Sequence, residues 1–117
     1  MAQKITCEHL FASTSHGVIA TDADGQIVLI NQQAASILNL DEKSVAGAHI
    51  QAVLPLTGRL VTKCLESGES QLGRHIVGKK VSLVVSITPI FEDQRLLGAM
   101  ANFQNMQDFE DSARQLE

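Results

Sequence analysis

Cys64 and His75 are the two side chains of this sequence that would pair as a thiol nucleophile and its base. Such chemistry needs a third group to orient the base and donors for the developing oxyanion. Cys64 instead falls in a helical stripe with Leu60, Val61 and Leu65, where cysteine serves as a small core residue. Nothing nearby supplies the missing parts, so no catalytic residue is assigned and the chain reads as a non-enzyme. A second pattern is cationic. Arg59 and Lys63 lie one helical turn apart, and Arg74 and His75 alternate on a strand, so that one of the latter pair faces inward. Gathered above Ser86 and Asn102, these cations would hold a small anion such as a carboxylate, because a buried cation requires an opposite charge. The candidate ligand-binding set is Arg59, Lys63, Cys64, Arg74, His75, Val84, Ser86, Met100 and Asn102. Two simpler readings compete with it. Strand-edge Arg and His are ordinarily solvated, and an apolar pocket of Ile37, Val53, Leu60, Cys64, Ile76, Val84 and Met100 would be filled by its own side chains.

Composition narrows the field. A chain of 117 residues with 44% hydrophobic content forms one domain around one core. No apolar run approaches the length of a membrane span, and the N-terminus lacks the layout of a signal peptide, so a cytoplasmic domain with no membrane in this segment is expected. The net charge of −4, with Lys and Arg scattered, leaves no footprint for direct nucleic-acid binding. Cys7 and Cys64 lie far apart, without a CxxC pair or a nearby His at ligand spacing, so no metal site or disulfide is expected and both read as reduced thiols. Trp and Tyr are absent, and the aromatic residues are Phe11, Phe91, Phe103 and Phe109. Flat cofactors are usually enclosed by aromatic side chains, which disfavours flavin and haem and leaves any cofactor unknown.

The elements that must position these residues are organised around Gly17 to Leu40. Two short β-rich runs, 17–21 and 26–30, flank Asp22-Ala23-Asp24-Gly25. An Asp-Gly pair between apolar runs predicts an antiparallel hairpin, because Gly takes positive φ freely and Asp can bond its own backbone. Asn31 then caps a helix starting at Gln32, whose apolar stripe is Ala34, Ala35, Ile37, Leu38 and the following Leu40. Asp41 caps a short helix stopped at Gly47, and residues 49–55 give another, ended by Pro55. A longer helix spans 58–66 and stops at Ser67-Gly68. Three strands follow, at 71–77, 81–90 and 95–105, with turns at Gly78-Lys79-Lys80 and Glu92-Asp93-Gln94. On the fourth strand Val81, Leu83, Val85 and Ile87 share one face, and Ser82, Val84, Ser86 and Thr88 share the other. On the fifth, Leu97, Ala99, Ala101 and Phe103 oppose Leu96, Gly98, Met100 and Asn102.

The ordered string Asp22, Asp24, Gly25, Ile27, Asn31, Ala34 and Leu38, followed by Val45-Ala46-Gly47, resembles the opening of a PAS domain, the sensory module of bacterial signalling proteins. The resemblance covers roughly residues 5–104 and gives Asp22, Asp24, Gly25, Asn31 and Gly47 structural roles. It implies an α+β, profilin-like fold: a five-stranded antiparallel sheet in order 2-1-5-4-3, with helices on one face and any ligand cavity beneath the 58–66 helix. Light-sensing members carry a reactive cysteine in an Asn-Cys-Arg-Phe-type motif, where this chain reads Ala48-His49-Ile50-Gln51-Ala52. Haem-binding members supply a His from the covering helix, and residues 58–68 contain none.

Three segments are expected: an amphipathic arm over 1–14 with Ile5, Leu10 and Phe11, the domain proper over 15–105, and the start of a signalling helix over 106–117. In the last, Met106, Phe109, Ala113 and Leu116 recur at a/d spacing, a seam too short to associate alone. The expected function is a sensory input domain that binds a small molecule between the 58–66 helix and the sheet and relays the change through the C-terminal helix. The alternative is a ligand-free dimerisation or protein-interaction module. A homodimer is expected under both. The effector that follows would be a kinase, a cyclic-dinucleotide enzyme or an AAA+ activator.

Overall fold

The first hairpin closes on the Asp22 side chain. Its Oδ1 accepts from the N–H groups of Asp24 and Gln26, both at 3.0 Å, and Gly25 adopts a φ of 85° to complete the turn. A side-chain acceptor held over a turn mimics a backbone bond and fixes the reversal. The strands it joins are β1 (Gly17–Asp22) and β2 (Ile27–Ile30). In the computed structural model, residues 16–77 and 82–105 are described. After β2 come α1 (Gln32–Leu38), α2 (Glu42–Val45), α3 (Ile50–Val53), α4 (Pro55–Ser67), β3 (Gln71–Val77), β4 (Ser82–Glu92) and β5 (Arg95–Asn105). The strands form one sheet in the order β2-β1-β5-β4-β3, every neighbouring pair antiparallel. This is the α+β architecture expected from the resemblance.

Asn31 ties the hairpin to the first helix. Its Oδ1 accepts from Ala34 N–H at 2.8 Å, which caps α1, and from Val18 N–H at 2.9 Å on β1. Its Nδ2 donates to the His16 carbonyl at 3.0 Å. One buried amide thus sets both the start of the helix and its position against the strand.

Two helix boundaries differ from expectation. Pro55 opens α4, and α3 ends at Val53 with Leu54 between them. Proline cannot continue a helix, but its missing N–H costs nothing in a first turn, so the residue that stops one helix starts the next. α3 is capped by His49, whose Nδ1 accepts from Gln51 N–H at 3.1 Å. Gly58 lies where α3 and α4 touch, and a Cβ there would run into the Gln51 backbone.

The hairpin between β4 and β5 turns on two residues, Asp93 and Gln94, at φ of 51° and 68°. Positive φ at both central positions matches the right-handed twist of paired strands.

Directly opposed residues in a sheet share a face. The pairs Val85 with Phe103 and Ile87 with Ala101 place all four on one face, and α4 buries them together with Val61 and Cys64. The pairs Val84 with Gln104, Ser86 with Asn102 and Thr88 with Met100 define the opposite face. The arm residues Ile5, Leu10 and Phe11, the seam residues Met106, Phe109, Ala113 and Leu116, Cys7, and the turn at 78–80 with Val81 lie outside the described residues.

Candidate functional site

The nine residues of the expected binding set separate into four places. Register puts Val84, Ser86, Met100 and Asn102 on the face away from the helices. They therefore cannot lie beneath Arg59 and Lys63, which ride on α4 on the other side. The Ser86 hydroxyl instead accepts from Gly73 N–H at 3.0 Å. Cys64 is fully buried in the core between α4 and the sheet. Burial pushes its thiol above the ordinary cysteine range, because the thiolate would lose its hydration. Lys63 borders a shallow surface hollow with Glu66 and Glu69, and two carboxylates beside a lysine make a poor anion site.

Arg59, Arg74 and His75 do come together. They line a surface groove of about 330 Å³ with Leu56, Leu60 and Ile76, where α4 passes the edge strand β3. The edge strand has a bulge between Gln71 and Arg74, with Gly73 at a φ of 61°. Beyond it Arg74 pairs with Val85 and Ile76 with Leu83, so both face the helix side. His75 pairs with Val84 and belongs to the other face, although it borders the groove at the strand edge. Arg74 is therefore the inward member of the alternating pair. Its Nη2 donates to Gln71 Oε1 at 3.1 Å. Arg59 has no hydrogen bond or ion pair among the described residues. The groove lining contains no acidic residue.

A second, apolar trough of about 150 Å³ continues from it, lined by Leu38, Leu54, Pro55, Leu56, Ile76 and Leu83, with Thr57. The two hollows meet at Leu56 and Ile76. The apolar pocket expected from sequence does not assemble as a single space, since Val84 and Met100 lie on the far face and Cys64 is closed into the core. Leu60 and Ile76 are the members that reach the groove. Leu38, Leu54 and Leu56 belong to neither expected set; Leu38 is signalled by the apolar stripe of α1, and Leu54 and Leu56 flank Pro55, which opens α4 as well as ending α3.

The groove sits close to the exit of the sheet. Across the strands Ile76 opposes Leu83, and Leu83 opposes Asn105, the last residue of β5. One row above, Arg74 opposes Val85 and Val85 opposes Phe103. Among the described residues no cluster of His, Cys, Asp and Glu is placed to hold a metal ion. None of the helices in the described residues is long and apolar enough to cross a membrane.

Comparison with known proteins gives three findings. The model of the family described as PAS fold matches residues 7–106. The sensor protein CitS of Halalkalibacterium halodurans is 29% identical over 112 residues, covering 93% of this chain and 20% of that protein, so the chain spans about a fifth of this relative. Among solved structures, the PAS domain of a Colwellia psychrerythraea protein superposes with a TM-score of 0.66 at 14% identity, covering 86% of this chain and 94% of that one. A sensory box sensor histidine kinase from Vibrio cholerae gives a TM-score of 0.64 at 15% identity, covering 85% and 88%.

Proposed function

The chain belongs to the PAS fold family, and from that premise we propose that it is the sensory input domain of a bacterial signal-transduction regulator, taking a small anionic ligand in the groove between α4 and β3. Arg59 and Arg74 hold the ligand's charge, Leu56, Leu60 and Ile76 form its floor, and the response leaves through β5 toward the segment at 106–117. The observation that carries this reading is the meeting of two arginines, without an acidic neighbour, in one groove of an otherwise acidic chain. Ligand binding biases output only by favouring one of two arrangements of the sheet and its exit. The rows Arg74–Val85–Phe103 and Ile76–Leu83–Asn105 supply a contiguous route for such a change. A kinase is the effector most in keeping with the named relatives, and the full-length regulator acts as a homodimer.

The test is calorimetric titration of the domain with small carboxylates and phosphates, in parallel with Arg59→Gln. Saturable heat in the parent domain that weakens about tenfold or more in the variant supports the reading, since a charge-assisted bond contributes roughly 1.5–3 kcal/mol. Absence of heat with every anion removes it.

A second reading, a ligand-free dimerisation or protein-interaction module, draws on the packed interior. Ile19, Cys64, Val85, Ile87 and Phe103 are all fully buried between the helices and the sheet. Sedimentation separates the two: an association constant that responds to the anion belongs to the sensor, and one indifferent to it belongs to the module.

A further inference from the structure

We infer that the ligand is an aliphatic monocarboxylate of about six to eight carbons, its carboxylate between Arg59 and Arg74 and its chain laid in the trough between α1, α4 and β3. This rests on the proposed anion site and adds the ligand's class. The cationic groove and the apolar trough share Leu56 and Ile76, so one molecule can span both. Trough and groove differ in what they reward. Leu38, Leu54, Pro55 and Leu83 offer no partner to a polar group and Thr57 is the one polar side chain in the lining, so a second charge placed there would lose its hydration uncompensated. An extended hydrocarbon loses only its contact with water. Size matches the length: the trough offers about 150 Å³, the volume that holds a six-carbon ring when such a space is enclosed, and so suits a chain of similar carbon count.

Charge sets the other end. Arg59 is unpartnered among the described residues, and Arg74 holds only the neutral Gln71 amide, so each guanidinium keeps donors free for a carboxylate. Polycarboxylates gain little from this site, because the direction away from the arginines is apolar. An acidic amphipathic peptide would meet the same chemistry, but a trough of this volume accepts a single side chain and leaves the rest of a peptide without a pocket.

The experiment is a calorimetric series on the domain with acetate, butanoate, hexanoate and octanoate as the same salt, with 1-octanol as the headless control. It is repeated on the Arg59→Gln, Arg74→Gln double variant and on Leu56→Ser, a substitution at an exposed position that leaves the core intact. Expected is an affinity that rises about two- to fourfold per methylene from butanoate to octanoate, the fold-change that roughly 0.8 kcal/mol per fully buried methylene sets as its ceiling. The double variant loses tenfold or more for octanoate, and Leu56→Ser flattens the series. Equal affinity along the series, still lost in the double variant, overturns the aliphatic class while leaving the anion site standing. Octanol binding as tightly as octanoate, or tighter binding by an acidic peptide than by octanoate, overturns the assignment. No binding by any carboxylate overturns both the class and the site.

Discussion

Replacing Asn31 by Ala removes an acceptor shared by two backbone amides and a donor to the His16 carbonyl. Ala34 and Val18 are both buried, so neither amide gains water in exchange. Loss of a helix cap costs about 0.5–2 kcal/mol, and a buried amide left without a partner costs about 1–3 kcal/mol. Together these give a destabilisation of about 1.5–5 kcal/mol, a large share of the roughly 5–15 kcal/mol by which domains are stable. Asn31→Asp keeps the acceptor for both amides and places negative charge at a helix N-terminus, but it sets a buried carboxylate oxygen against the His16 carbonyl, so it is expected to recover only part of the loss. Urea unfolding followed by circular dichroism is the assay, since the chain has no Trp or Tyr to report by fluorescence. The reasoning fails if Asn31→Ala costs less than about 1 kcal/mol, or if Asp is as damaging as Ala.

Further outcomes follow from single positions. Gly25→Ala is expected to cost about 1.5–3 kcal/mol, because φ is 85° and a Cβ would lie 2.7 Å from His49 Nε2; in a His49→Ala background the steric part of the loss should disappear in a double-mutant cycle. Gln94→Gly should stabilise by about 0.5–1 kcal/mol, since a non-glycine residue at a φ of 68° is relieved of a left-handed penalty of about 1–2 kcal/mol against glycine's greater unfolded entropy; an unchanged urea midpoint would contradict it. Cys64 should resist alkylation in the native state when Cys7 is replaced by Ser. Because burial raises the Cys64 pKa, the unfolded chain gives up that proton first, so this thiol's effect on stability is flat below about pH 8.5 and destabilising above it. Cys64→Ala should remove that alkaline slope, and a slope unaltered by the substitution would refute the assignment.

The hairpin and the helix cap were legible because each depends on residues adjacent in sequence. Asp-Gly and Asn31 work through local backbone bonds, and the structure returns both, with Asp22 carrying the turn's side-chain bonds. The faces of β4 and β5 were also legible as alternations. Their relation to the helices was not: the expected site took Val84, Ser86, Met100 and Asn102 from one face and Cys64 from the other, because alternation says which residues travel together without saying which side α4 covers. The wholly apolar row of Leu83, Val85 and Ile87 was the available signal, and burial beneath the helix explains it. Pro55 shows a further limit. The same lack of an N–H ends α3 and opens α4, and the extra turn that results brings Leu56 to the groove. The turn expected at Glu92-Asp93-Gln94 is present without a glycine, narrowed to Asp93 and Gln94 by the pairing of Glu92 with Arg95.

The central claim is that this PAS domain takes its signal on the helix side of β3 and passes it to the end of β5. Amide chemical-shift mapping of the ¹⁵N-labelled domain titrated with octanoate tests it most directly. Expected are saturable shifts at Arg59, Leu60, Arg74 and Ile76 that continue through Leu83 and Val85 to Phe103 and Asn105. Saturable shifts centred on Val84, Ser86, Met100 and Asn102, with α4 unmoved, would contradict it.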